Sequence, residues 1–206
     1  LSKVGACATL ASSMAADDVE TSIRRALSAG NLDAAATLAL EAYSGELLGY
    51  LVSVLRNRDD AEDVYAEGCH RLWRGLPSFR NESSFRTWAY RIFQNALRMH
   101  MRRTTRQRRG TMNEARTSAL VVRERTETHP YQRTDAKVAL GRLRATLGAS
   151  DKALLTLRLD RRLSWRDVAV VLDNTDEPER AAAKYRKRFE RVREQLRVLA
   201  QREGLL

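Results

Sequence analysis

Apolar positions recur with helical period along most of the chain. Phe85, Trp88, Ile92, Ala96 and Met99 follow one another at three- and four-residue steps, the spacing of a stripe that faces a core. Arg91, Asn95, Arg98 and Arg102 keep the same steps on another face, and from Arg98 to Arg109 there are six arginines and no acid. The pattern predicts one long helix starting at Phe85, entered through a polar loop, Arg80 to Ser84. Upstream, Val19 to Ala29 forms a short amphipathic segment before Gly30. A helix starting at Asn31 then carries Leu40, Tyr43, Leu47, Leu51, Val54 and Leu55, and Asn57-Arg58-Asp59 breaks it. Asp60 to Arg74 is the next helix, stopped by Gly75 and Pro77. Its acidic front (Asp60, Glu62, Asp63, Glu67) and basic back (His70, Arg71, Arg74) match the helix dipole, each exposed end contact being worth about 0.3–1 kcal/mol.

After the central helix, Thr104 to Thr134 loses apolar periodicity and reads as a linker, with room for a helical piece at Met112–Val122. Periodicity returns from Asp135 to Leu147. Ser150 is placed to cap a helix holding Leu154, Leu155, Leu157 and Leu159. Ser164 and Asp167 make a capping box ahead of Val168, Ala169, Val171 and Leu172. A polar turn and Pro178, tolerated in a first helical turn, lead into a final basic helix around Tyr185, Phe189, Val192, Leu196 and Leu199.

The totals sharpen this picture. Only 10 glycines and 3 prolines in 206 residues leave the chain helix-favouring throughout, and the length suits one large domain or two small ones. We read an all-α protein of two helical domains joined by a flexible linker. The expected division is a disordered tail at 1–18, a helical bundle at 19–106, the linker at 107–134 and a helix-turn-helix domain at 135–206.

A net charge of +11 and a pI near 10.3 call for an anionic partner, nucleic acid first and acidic membrane second. No stretch reads as a membrane span, so membrane insertion is not expected. The first residues hint at an export signal or a lipidation box but lack the apolar core either needs, and Met14 is a candidate start.

Cys7 and Cys69 lie far apart, which excludes a disulfide framework and points to a reducing cytoplasm. Cys69 and His70 are adjacent, so they point to different sides of a helix, and no second pair stands at ligand spacing; no metal and no cofactor is expected. His70, His100 and His129 have no Ser, Cys or acid at motif spacing, so no catalytic residue emerges and the chain reads as a non-enzyme.

Binding chemistry is more legible. An arginine face backed by a packed stripe suits a polyanion, although such faces are also simply solvated. Trp88 and Tyr90 offer flat surfaces for an unstacked base, but Trp88 lies on the Phe85–Ile92 stripe and reads first as core. Asp60, Asp63 and Glu67 line up at i, i+3, i+7. In a basic protein that is either a solvated face or a dock for a basic protein partner. A short capped helix, a rather long polar turn and a basic helix follow the helix-turn-helix plan, whose second helix enters the major groove.

Two segments resemble one family. Asp60-Ala61-Glu62-Asp63-Val64 through Leu72-Trp73, then Phe79, Phe85-Arg86-Thr87-Trp88-Ala89-Tyr90-Arg91-Ile92 and Asn95, resemble region 2 of the bacterial sigma-70 family, its compact extracytoplasmic-function group above all. Ser164-Trp165-Arg166-Asp167-Val168-Ala169 and Lys187-Arg188-Phe189-Glu190-Arg191-Val192-Arg193-Glu194-Gln195-Leu196 resemble region 4. Ala66, Cys69, Ala89 and Met99 depart from the family pattern, and the turn before the last helix is longer than its usual one.

The resemblance implies an alternative sigma factor that brings core RNA polymerase to promoters. Asp60, Asp63, Glu67 and Arg71 would meet the clamp helices of the β′ subunit, and region 4 the β flap. Arg80, Asn81, Glu82, Ser83 and Ser84 would capture a flipped base of the −10 element. Arg86, Arg91, Asn95, Arg98 and Arg102 would hold duplex and single-stranded promoter DNA around it. Arg180, Lys184, Tyr185, Lys187, Arg188 and Arg191 would read the −35 element. An anti-sigma factor is a further partner the family implies.

Two rivals stand beside this reading. One is a polymerase-independent helix-turn-helix repressor; the other is a nucleic-acid enzyme, for which no acidic cluster suited to Mg²⁺ is visible. Linker reach favours the sigma factor. Promoter elements two DNA turns apart are separated by roughly 70 Å. Thr104–Thr134 spans at most ~105 Å extended, but only about 30 Å as a free coil. Something such as a polymerase surface must hold it stretched.

Overall fold

The computed structural model describes residues 18–114, 141–175 and 177–202, and every described element is helical. Helix α1 covers 18–28, α2 Leu32–Leu55, α3 Arg58–Gly75 and α4 Phe85–Glu114; a single 3-10 turn, Leu76–Ser78, leads out of α3. In the second half, α5 covers 141–145, α6 Ala149–Leu155, α7 Trp165–Asp173 and α8 Pro178–Arg202. A widened π turn, Thr156–Asp160, continues α6.

Local chemistry sets the boundaries. The Asn31 side chain accepts from the Ala34 N–H at 3.0 Å, and Asn57 caps α3 through the Asp59 and Asp60 N–H groups. Arg56 ends α2 in the left-handed region, at φ 57°. Gly148, not Ser150, holds the N-cap position of α6, and it makes no side-chain bond there. Ser164 caps α7 by accepting from the Asp167 N–H at 3.1 Å, while its hydroxyl donates to the Asp167 carboxylate. α4 runs on to Glu114, past the position where the linker was expected to begin, because its Arg/Thr/Gln-rich end has ordinary helix propensity. The tail at 1–17 and most of the linker lie outside the described residues.

In α4 the buried set is wider than the predicted stripe. Phe85, Trp88, Ala89, Tyr90, Phe93, Ala96 and Leu97 are buried. Trp88 is core, as expected. Tyr90 is fully buried and offers no base platform, and Met99 is 44% exposed. The reason is that α4 is covered by α2 and α3 on one side and by α7 on the other, so apolar burial extends around most of its first four turns. α2 proves long and apolar enough to cross a membrane by length and composition, contrary to the sequence reading. Ala35, Ala39, Tyr43, Leu47, Tyr50, Leu51 and Val54 of that helix are buried in the core instead.

α3 and α4 cross closely. A Cβ on Gly68 would sit 2.5 Å from the Phe93 ring, so only glycine admits that ring.

The N-terminus of α4 is held from a distance. Glu20 on α1 accepts from the backbone N–H of Phe85 and of Arg86, each at 2.8 Å, and from the Tyr43 hydroxyl at 3.0 Å. A carboxylate on two free amides at the positive end of a helix is a strong cap. Burial, together with the Glu20 charge, raises the Tyr43 phenol well above its usual range.

One apolar core runs through both halves, from Ile23 and Leu47 to Leu154, Val168 and Phe189. The two modules expected to hang on a linker are therefore packed together, α7 on α4 and α6 on α2.

Glu20→Ala should lower stability by about 2–3 kcal/mol, the value of charged hydrogen bonds. Trp88→Ala should cost about 3–5 kcal/mol. Met99→Ala should stay within ~0.5 kcal/mol. Urea unfolding followed by circular dichroism measures all three.

Candidate nucleic-acid interface

The loop that precedes α4 is short and polar. Arg80, Asn81 and Glu82 are exposed, Ser83 and Ser84 half-buried. Asn81 adopts φ 56°, a conformation asparagine tolerates better than most residues. Ser84 accepts from the Thr87 N–H at 3.1 Å and fixes where the loop becomes helix. Behind it Phe79, Phe85 and Trp88 pack ring on ring, with centroids 5.0–5.3 Å apart. The loop is therefore a polar rim on a rigid aromatic floor.

The arginines of α4 divide by partner. Arg86 is pinned to Glu46 by two bonds, 2.7 and 2.9 Å, and donates to the Arg161 carbonyl at 3.1 Å. Burial opposes its charge, but Glu46 outweighs burial and holds the guanidinium above its ordinary range. In this arrangement Arg86 positions helices and is not free for DNA, a correction to the sequence reading. Arg98 donates to the Leu172 carbonyl at the end of α7. Arg91 and Asn95 are half-buried and Arg102 is exposed.

On α8, Arg180, Lys184, Lys187 and Arg191 stand at steps of four, three and four and are all exposed, so they form one basic stripe. Tyr185 and Arg188 do not belong to it. Tyr185 is buried and donates to Asp173 at 2.8 Å, and Arg188 is half-buried and bonds Asp151 at 2.7 Å. Both fasten α8 to the rest of its module, because the apolar stripe of α8 turns that side inward. The sequence reading placed them among the base-reading residues; the structure turns them away from that face. The turn between α7 and α8 is also tighter than the sequence reading suggested. α8 begins at Pro178, which leaves positions 174–177, a usual length for this motif. Asn174 ends α7 at φ 52°.

Asp173 is the clasp of this turn. Burial works against its charge, but bonds from Lys184 and Tyr185, with Arg98 nearby, bring its pKa below the ordinary carboxylate value.

The acidic stripe lies on α3 as expected. Asp63 and Glu67 are exposed and Asp60 half-buried. Glu67 pairs with Arg71 at 2.5 Å, and Asp60 faces His100 at 3.6 Å. Asp63, Glu67 and Arg71 line one wall of a groove of about 410 Å³, with Met99, His100 and Arg103 opposite. The exposed Met99 thus belongs to this groove. No group of three or more potential metal ligands occurs among the described residues. The Cys69 thiol is pushed up by burial, partly offset by Tyr65.

Glu20 and Glu46 carry no signal in the sequence, and Thr87 and Asp167, noted there only in a motif and a helix cap, meet each other across the fold; these partners lie 40 to 80 positions apart.

Fold and site define an all-α protein with a loop-and-arginine-helix module followed by a helix-turn-helix module. The family model for sigma-70 region 2 matches residues 39–107, which span most of α2, all of α3 and most of α4. The chain is 36% identical over 59 residues to RNA polymerase sigma-H factor of Pseudomonas aeruginosa, covering 29% of this chain and 31% of that protein. It is 34% identical over 64 residues to the ECF RNA polymerase sigma-E factor of Haemophilus influenzae, covering 31% of this chain and 33% of that one. The aligned part thus spans about a third of the length of these curated relatives.

Among solved structures, the sigma factor RpoE in complex with the anti-sigma factor NepR from Bartonella quintana matches with a TM-score of 0.59 at 21% identity, over 80% of this chain and 96% of that one; it speaks for the fold. Residues 39–107 are thus similar to sigma-70 region 2, and the segments aligned with the two relatives make up 29–31% of this chain.

Because the folded pKa of Asp173 is depressed, its contribution to stability is present above the unfolded carboxylate value near 4 and is lost as pH falls through the lower folded value. Asp173→Asn should therefore flatten the acid limb of a stability–pH curve. Melting temperatures between pH 6 and pH 3 measure it.

Proposed function

We propose that this protein is an alternative sigma factor: it binds core RNA polymerase, recognises and opens the −10 element and reads the −35 element. One observation carries the reading. The matched region 2 segment holds the α3 acidic stripe with its groove, the polar loop and the arginine-rich helix in one contiguous stretch of packed helices. A protein dock next to a strand-capturing surface is what promoter opening by a polymerase subunit requires. A free-standing repressor needs no such dock. The curated relatives bear the names of polymerase sigma factors, which supports the same assignment.

In this reading Asp60, Asp63, Glu67 and Arg71 meet the β′ clamp helices. The rim Arg80–Ser84 receives the extracted base. Arg91, Asn95, Arg98 and Arg102 follow the freed strand once the modules part. The stripe Arg180, Lys184, Lys187 and Arg191 meets the −35 duplex, and the outer face of the second module meets the β flap. The boundaries 19–106 and 135–206 serve as the two functional units. The protein contributes binding energy and no covalent chemistry, works in the cytoplasm, and is a target for an anti-sigma factor.

Extraction of a base costs a few kcal/mol of unstacking. The aromatic floor keeps the rim from collapsing, and the arginines offset the cost by neutralising phosphates. Transcription with core polymerase on genomic fragments, followed by transcript mapping, tests the assignment. Initiation at discrete sites supports it. DNA binding with no polymerase-dependent transcription would return the repressor.

Asp63→Lys should weaken core-polymerase capture at least tenfold with the melting temperature unchanged, since Asp63 is exposed. Asn81→Gly removes the side chain without straining a positive φ. With Ser83→Ala it should impair transcription from duplex promoters and recover in part on a template pre-melted at −10. Full activity and unchanged −10 preference on both templates would remove base capture from this loop.

A further inference from the structure

The loop before α4 faces α7 and the start of α8 across a cleft of about 520 Å³. That volume lies within the range of small-ligand sites, roughly 300–1,000 Å³. Three arginines converge on it from three elements: Arg80 from the loop, Arg91 from α4 and Arg166 from α7. Arg80 and Arg91 pair with no acid among the described residues. Arg166 meets Glu179 at 3.3 Å, but both side chains are more than half exposed, so that pair is weak. Glu82 is the one acid among the described residues of the lining. Three guanidiniums around a recess repel one another and focus their field into it, and an anion relieves both. Guanidiniums match phosphate oxygens two at a time, which favours a phosphate over a spherical anion.

The rest of the lining asks for more than a phosphate. Ser78 donates its hydroxyl proton to the Gly75 carbonyl at 2.8 Å, and Ser83 donates its own to the Ser84 carbonyl at 3.2 Å. Both oxygens are left as acceptors, as is the Glu82 carboxylate. They call for a ligand that carries N–H or O–H donors. Phe79 is half-buried, and its ring is braced by Trp88 at 5.0 Å between centroids. It offers a rigid planar contact to a ring system. Val170 and Pro178 add apolar surface to the other wall.

We infer that this cleft is a small-molecule site for a nucleoside diphosphate. The phosphates lie among Arg80, Arg91 and Arg166. The ribose hydroxyls and the amino group of the base donate to Ser78, Ser83 and Glu82, and the base lies against Phe79. A phosphodiester strand spreads its charge one phosphate per nucleotide, whereas a diphosphate gathers it at one end, which suits three converging guanidiniums. Arg166, Val170 and Pro178 have no place in the proposed strand-capturing surface, so the site is distinct from the rim Arg80–Ser84. The inference stands apart from the sigma-factor reading, because this binding needs neither polymerase nor promoter.

Isothermal titration of the full chain with GDP, ADP, inorganic pyrophosphate and guanosine tests it, at about 0.15 M salt, where loose surface attraction is screened. GDP or ADP should saturate a single site at least about tenfold more tightly than pyrophosphate or guanosine, since only the nucleotide engages both ends of the cleft. Arg80→Gln and Arg166→Gln change exposed residues on opposite walls. Each should weaken the nucleotide about tenfold, as loss of one charge-assisted hydrogen bond dictates. Arg102→Gln removes an exposed arginine of α4 outside the cleft and should leave the affinity unchanged. All three variants should keep the wild-type melting temperature, as exposed sites do.

The site is overturned if neither nucleotide saturates, if pyrophosphate binds as tightly as GDP and ADP, or if Arg102→Gln is as damaging as Arg166→Gln. Those results would leave only the general attraction of a basic protein for anions. None of them bears on polymerase-dependent transcription, which decides the functional reading separately.

Discussion

The Glu20 carboxylate is the contact on which the architecture turns. Its two oxygens take up the first N–H groups of α4, and the Tyr43 hydroxyl donates to one of them. α1, α2 and α4 thereby share one point. The residues next to that point are the polar loop on one side and Phe85, Arg86 and Thr87 on the other. Shifting the start of α4 by one residue would rotate its arginines by about 100° at 3.6 residues per turn. The cap thus aligns the polar rim with the arginine face behind it.

α4 then serves several neighbours at once. Its aromatic floor supports the loop. Its far turns form a wall of the α3 groove through Met99, His100 and Arg103. Its side opposite α3 accepts α7. Coverage by several neighbours explains why Tyr90, Phe93 and Leu97 form a second buried stripe beside that of Phe85 and Trp88. It also explains why basic groups on the same helix differ in role. Arg86 and Arg98 end on oxygens of other helices, whereas Arg102 meets solvent.

What could be read in the sequence was local. Ser164 announced its cap, Asn57 a break between α2 and α3 but not its role as the α3 cap, Pro178 its first turn, and the acidic stripe of α3 its exposure, because each depends on neighbours within one or two turns. The basic stripe of α8 was half legible. Periodicity showed that Tyr185 and Phe189 share a face, but only the position of Asp173 and Asp151 in space shows that Tyr185 and Arg188 turn inward to meet them. Glu20 and Asp167 were not legible as organisers, since their partners lie 65 and 80 residues away. The joint packing of the two modules was hidden for a similar reason. Leu154 and Val168 read equally well as the core of a separate domain, and nothing in their spacing names α2 or α4 as the surface they meet.

Gly68 carries a consequence of a different order. With no side chain of its own, it lets the Phe93 ring press on the α3 backbone and so sets how far apart the axes of α3 and α4 run, within the 8–10 Å common for packed helices. The mouth of the groove between those helices is measured out by that spacing. A single methyl at position 68 would therefore act like a shim, widening the recess by tilting an entire wall. The shape of that groove can thus be retuned from a buried position that does not line it.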